Sequence, residues 1–243
     1  LQLRSILSQT HRPLEIIVLD DVSTDDTLAI VKDVLATSHV PSRIHCNRER
    51  LGVVRNIEQG FHMARGPLIA FADQDDIWLP TKLDQICPLF DADPRLDLVF
   101  TDAQLIDETG APLPSTLWDR AGFRDRRRTL WEVDPLAVVL QGEIATGATM
   151  LLRADCARTA MPFPTHRVHG SWLVLYLLMS GRKGGAVGEA TMKYRLRANN
   201  QEGLPPDTRP ARLRRFRDER TILQGLVEQL TEAETRLGDI AEP

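Results

Sequence analysis

The 243-residue chain is 42% apolar and 26% charged with a formal net charge of −4, a globular composition that excludes collagen, a coiled-coil rod and a disordered tail. A chain of this length buries roughly 70–75% of its unfolded surface and needs no disulfide or metal staple, and without a net basic field general nucleic-acid binding is not expected. The three cysteines, Cys46, Cys87 and Cys156, form no Cys-x-x-Cys pair, which fits a reducing, cytoplasmic setting better than a zinc knuckle or a disulfide framework.

Leu3, Ile6 and Leu7 already have helical spacing, so the chain reads as opening inside a helix, with a preceding strand expected outside it. Glu15 to Asp20 is a continuous apolar run closed by an acid, the pattern of a strand covered on both faces. Ser23-Thr24-Asp25-Asp26 reads as a capping box for a helix buried along Leu28, Val31 and Leu35. A weak strand over 43–46, a helix over 52–64 and a buried strand over 68–72 follow. Pro80 suits the first turn of another helix, where a missing N–H costs nothing. A fourth strand spans 96–105 and ends in the turn Asp107-Glu108-Thr109-Gly110. Residues 111–142 are irregular and carry the basic run Arg124 to Arg128. Beyond them come a strand over 148–153, a helix over 169–180 and an extended return over 185–197. Trp172 to Met179 is the longest apolar run, far short of the ~20 residues of a membrane span. Pro205-Pro206 marks a boundary before a helical stretch over 208–237 with an Arg-rich opening.

Strand–helix alternation predicts an α/β fold with a mostly parallel central sheet flanked by helices, and in such sheets ligands sit beyond the carboxyl ends of the strands. Both acidic clusters fall there: Asp20-Asp21 after one strand and Asp73-Gln74-Asp75-Asp76 after another. Three carboxylates on four residues repel one another unless a cation is present, and hard oxygen ligands suit Mg²⁺ or Mn²⁺; the ordinary alternative is a solvated acidic turn. Asp25 and Asp26 are explained by the helix macrodipole, whereas Asp20 and Asp21 precede the cap and face the crevice. There is no P-loop and no Gly-x-Gly-x-x-Gly fingerprint.

The segments Leu3 to Thr10, Glu15 to Asp25, Gly52-Val53-Val54-Arg55-Asn56, Phe71 to Trp78 and Thr146 to Met150, with Tyr194-Arg195 and Asn199-Asn200, together resemble a family 2 glycosyltransferase, in the flavour of its rhamnosyltransferase-like branch. The resemblance covers about residues 1–203 and implies a GT-A fold lacking its first strand here. It divides the chain into a nucleotide-sugar-binding half over 1–110, an acceptor-binding half over 111–204 and a C-terminal extension over 205–243. It implies that Asp21 holds the nucleobase while Asp20 supports the turn, that Asp73 faces the ribose and that Asp75 binds Mn²⁺ or Mg²⁺ at the diphosphate. Arg55 and Asn56 would line the same pocket, and Arg197 would meet phosphate oxygens where the family tends to have a metal-side His. The implied reaction is inverting transfer from a nucleotide-diphosphate sugar, with dTDP-rhamnose as the donor suggested by family flavour, to a saccharide or lipid-linked acceptor.

The family's His-Asp-x-Trp segment, which brings the expected general base, reads His169-Gly170-Ser171-Trp172 here. With the carboxylate gone, the base is unassigned, and His169, Glu143 and Glu189 are the candidates; a binding protein with little turnover is the alternative. The basic stretches, Arg124 to Arg128 and Arg209 to Arg220, read first as solvated surface and second as contact with an anionic membrane surface at the inner face of the membrane.

Overall fold

A computed structural model describes residues 1–164 and 169–197, with residues 231, 232, 234 and 235 further on. Asn199-Asn200, the Pro205-Pro206 boundary and the arginines 209–220 lie outside the described residues. The first half runs α1 (Gln2–Leu7), β1 (Ile16–Asp20), α2 (Thr27–Ala36), β2 (Ser42–Cys46), α3 (Gly52–Met63), β3 (Leu68–Ala70), β4 (Ile77–Trp78), α4 (Lys82–Ala92) and β5 (Leu96–Ile106). The second half continues with β6 (Pro112–Thr116), α5 (Leu117–Ala121), α6 (Asp125–Trp131), α7 (Pro135–Val139), β7 (Met150–Arg153), α8 (Ala154–Thr159), α9 (His169–Met179) and β8 (Lys183–Arg195).

The sheet corrects the expected strand directions. Among the described residues β1 pairs in parallel with β2 alone, while β3, β7, β5, β8 and β4 form a separate sheet in that order, with β6 added along β5. In this second sheet only β5 and β8 are parallel; β3–β7, β5–β7, β5–β6 and β4–β8 are antiparallel. An apolar run reports burial on both faces, and helices cover antiparallel strands as readily as parallel ones, so the run itself carried no direction. The hairpin turn Asp107–Gly110 sends the chain back along β5, and strand–helix alternation stops there.

Local chemistry also differs at two places. The expected capping box at Ser23 to Asp26 does not form: α2 begins at Thr27, its N-cap Asp26 makes no side-chain cap, and the Ser23 N–H is taken by the Asp20 carboxylate at 3.1 Å. The irregular stretch 111–142 holds three short helices. The first is closed by a capping box between Thr116 and Asp119, and the third by the Asp134 carboxylate accepting from the Ala137 N–H. Helices of five to seven residues are too short for a 3.6-residue period to show in the sequence.

The main core surrounds α9, whose residues Trp172 to Leu177 are all buried, as an all-apolar helix requires. Phe100, Trp118, Phe123 and Trp131 pack edge-on and tilted around one another in the same core. Most of the basic run serves this packing. Arg124 pairs with Asp119, Arg127 donates to the carbonyls of Ala121, Val138 and Gly142, and Arg128 lies over the Trp118 ring. No described helix is long and apolar enough to cross a membrane.

Candidate active site

The ends of β1 and β3 open into one cleft of about 1220 Å³, walled by α1, α3 and α4 and reached by the tail of β8. Asp20, Asp21, Asn56, Asp73, Asp75, His169 and Arg197 line it. The cleft runs along the whole of β1 and β3, and both acidic strand ends border it.

At the β1 end, Asp20 is 5% exposed; its Oδ2 accepts from Ser23 N–H, and its buried Oδ1 has no hydrogen-bond partner among the described residues. Asp21 crosses to the start of α3. Its Oδ1 accepts from Asn47 Nδ2 and Leu51 N–H, both at 2.8 Å, and its Oδ2 accepts from Gly52 N–H at 2.9 Å. These amides, led by Leu51, hold its carboxyl below the usual range, with Arg50 adding to the effect. A carboxylate offers about four lone-pair positions, so Asp21 keeps room on Oδ2 for one further donor. Asn56 is the bracket between them, donating to the Leu19 carbonyl and accepting from Asn47. Val22, between the two acids and the cap, has φ of 62°, a left-handed conformation that strains a β-branched residue.

Arg55 does not reach the cleft. On the helix face it pairs with Glu58 at 2.6 Å, and its neighbour Asn56 lines the wall instead. Arg50, a cation that no motif singled out, lines the cleft beside Asp21.

At the β3 end, Asp73 and Asp75 are half-buried and Asp76 is fully buried. Asp75 Oδ2 lies 3.3 Å from Arg197 Nε. Asp76 accepts the Arg195 N–H at 2.9 Å, and burial, reinforced by Asp73 and Asp75, pushes its carboxyl well above the usual range. Beneath it Lys82 is wholly buried, donating to the Ala148 carbonyl at 2.8 Å and lying over the Trp78 ring; burial pulls its ammonium down. No cluster of three metal-ligating side chains exists among the described residues. Asp73 and Asp75 nonetheless fit Mg²⁺ or Mn²⁺, which bind through one or two carboxylates and take their remaining ligands from substrate phosphates and water. That Asp75 already holds a guanidinium shows that this carboxylate attracts a cation.

Of the three acceptor-side candidates, only His169 lines the cleft. His169 is 4% exposed, its ring 5.2 Å from that of Phe71, and it presses on Gly147, where a Cβ would come within 2.6 Å of Nε2. Its ring packs at the cleft wall. Glu189 sits in the irregular register of β8 opposite Thr101 and Asp102 and does not line the cleft. Glu143, which like Glu189 is not among the residues lining the cleft, is exposed and accepts the Ser171 hydroxyl at 2.6 Å, which holds it against the first turn of α9. Its charge joins those of Asp76, Asp73 and Asp75 in pushing the Tyr194 phenol up, after burial. Position 170 has no room for the family's carboxylate, because a Cβ there would meet Gly147 N at 2.9 Å.

Residues 2–138 match the family described as Glycosyl transferase family 2. The putative glycosyltransferase EpsE of Bacillus subtilis is 27% identical over 199 residues, covering 79% of this chain and 66% of its own length. The putative teichuronic acid biosynthesis glycosyltransferase TuaG of the same organism is 28% identical, covering 81% and 73%. An uncharacterized glycosyltransferase of Nostoc, alr2836, is 28% identical over 141 residues, and the chain spans 43% of its length. Among solved structures, S. aureus TarS 1-349 in complex with UDP superposes with a TM-score of 0.58 at 16% identity, over 81% of this chain and 56% of that one. The mannosyltransferase PcManGT of Pyrobaculum calidifontis, in complex with GDP-Man and Mn²⁺, superposes with 0.58 at 19% identity, over 96% and 59%. The fold is GT-A.

Proposed function

The chain belongs to glycosyl transferase family 2, and from that premise we propose that it moves a sugar from a nucleotide-diphosphate donor, with inversion, to a saccharide or lipid-linked acceptor in surface polysaccharide assembly. One observation carries the reading: carboxylates from two separate strand ends, Asp20 with Asp21 and Asp73 with Asp75, share one cleft with Arg197. We assign the donor to residues 1–110 and the acceptor to residues 111–204. Asp21, with its one remaining acceptor position, receives a base N–H, and Asp20 holds the turn that aims it. Asp73 faces the ribose. Arg197 moves from Asp75 to the diphosphate oxygens. Asp75, with Asp73, would hold Mn²⁺ or Mg²⁺, which when bound neutralises charge on the departing diphosphate.

For the acceptor we assign the base to Glu143. Position 170 cannot carry a carboxylate, and the Ser171 hydroxyl holds Glu143 one residue further along the same helical turn. This assignment favours turnover over the alternative of a binding protein. The donors to assay first are dTDP-rhamnose, from the motif resemblance, and the UDP and GDP sugars, from the ligands of the solved neighbours.

Calorimetric titration of UDP, GDP and dTDP with and without Mn²⁺ tests the donor side. Asp75→Asn is expected to abolish the affinity gained from Mn²⁺ while leaving the melting temperature nearly unchanged, since a half-exposed ion pair contributes little to stability. An undiminished gain refutes the metal assignment. Glu143→Gln is expected to bind donor normally and to lose about a hundredfold or more in turnover, the range of a positioned base. Unchanged turnover removes Glu143 from the mechanism.

A further inference from the structure

We propose that Arg195 is a positioning residue that sets the direction of Asp75 and ties the donor-side acidic turn to the hairpin between β5 and β6; the proposal rests on the reading of that turn as the donor site. Arg195 is 8% exposed. Its Nε donates to the Asp75 carbonyl at 2.9 Å, and its Nη1 donates to the carbonyls of Asp107 and Glu108 at 2.9 and 3.0 Å. Its own N–H is held by Asp76 Oδ1 at 2.9 Å. One planar guanidinium thus spans two loops that are distant in sequence.

The acidic turn needs such a hold. Within it the Asp76 N–H reaches the Asp73 carbonyl only at 3.4 Å, a weak bond, and the like charges of Asp73 and Asp75 push it open. The hairpin turn is a firm abutment, because Asp107 Oδ1 accepts from the Thr109 N–H and hydroxyl and from the Ala111 N–H. Bonding from a fixed fork to the Asp75 carbonyl fixes the peptide plane following Asp75, and with it the direction in which the Asp75 side chain leaves the backbone. Lysine, with one rotatable ammonium, cannot span both loops in this way.

Arg153 supplies a matched comparison. Its guanidinium likewise donates to two carbonyls, those of Leu96 and Phe90, both at 2.8 Å, but it lies outside the cleft. A role in stability alone would make the two arginines equivalent.

The test measures the affinity of the full chain for UDP, GDP and dTDP with and without Mn²⁺, well below the melting temperature of each variant. For Arg195→Gln the gain in affinity from Mn²⁺ is expected to fall about tenfold or more, as loss of charge-assisted bonds implies. Arg195→Lys is expected to recover part of it, and Arg153→Gln to keep the full gain even if it melts earlier. A full Mn²⁺ gain in folded Arg195→Gln overturns the proposal, as does an equal loss in Arg153→Gln. If the wild-type protein shows no Mn²⁺ gain with any of the three nucleotides, the metal reading fails by itself. The metal-free affinities then decide for Arg195: a loss of about tenfold in Arg195→Gln alone supports it, and no loss overturns it.

Discussion

Asp21 has two duties that conflict in acid. Its carboxylate accepts three hydrogen bonds, two of them from the first amides of α3, so it caps a helix belonging to another part of the chain. Replacing a capping oxygen typically costs about 1 kcal/mol, and Asp21→Ala is expected to lower unfolding free energy by about that amount in urea titrations near neutral pH. Because the folded pKa is depressed, the stabilisation is complete above the ordinary Asp pKa of about 3.9 and is lost as pH falls through the lower folded value. The difference between wild type and Asp21→Ala should therefore shrink only below about pH 4; a difference that shrinks near pH 6 would refute the assignment. The acids themselves were legible in the sequence, since strand ends expose whatever follows an apolar run. Their partners were not. Nothing local to Asp21 points to Leu51 and Gly52, thirty positions on, and nothing near Arg55 shows that it turns to Glu58 and away from the cleft.

Among the elements, α9 and the one-turn 3₁₀ helix over Gly147–Thr149 approach so closely that glycine is required on both sides. A Cβ at 170 would sit 2.9 Å from Gly147 N and 3.4 Å from Met150 Cε. Gly170→Ala is expected to destabilise the protein by about 1–3 kcal/mol, the range for overpacking a tight core, despite alanine's better helix propensity. A melting temperature at or above that of the wild type would mean that the contact is loose. The same contact bears on a difference from the family pattern: where a carboxylate is expected, Gly170 makes a close approach to Gly147. Long, strongly patterned elements such as α3, β5 and α9 could be read from the sequence, because their burial repeats over several turns or residues. The short helices α5 to α7 and the return β6 could not, because they are fixed by caps and by a partner in β5 rather than by any period of their own; β7 was legible as a strand over 148–153, but not its antiparallel direction.

For the molecule as a whole, the division of the strands into two sheets has a consequence for its behaviour in solution. Among the described residues β1 pairs as a strand only with β2, and β3 only with β7, so each has a second edge with no strand beside it. Backbone N–H and C=O groups along such an edge are a template for any extended chain of suitable length. Neither β1, which is Ile16-Ile17-Val18-Leu19-Asp20, nor β3, which is Leu68-Ile69-Ala70, carries a lysine or proline to discourage pairing. For these 243 residues taken by themselves, the two edges are open to any extended segment that can enter the cleft, and association is expected to depend on concentration more steeply than a net charge of −4 would suggest. Light scattering on a dilution series is expected to show association with a strand-rich infrared signature between chains; a constant monomer mass across the series would show that the edges are shielded.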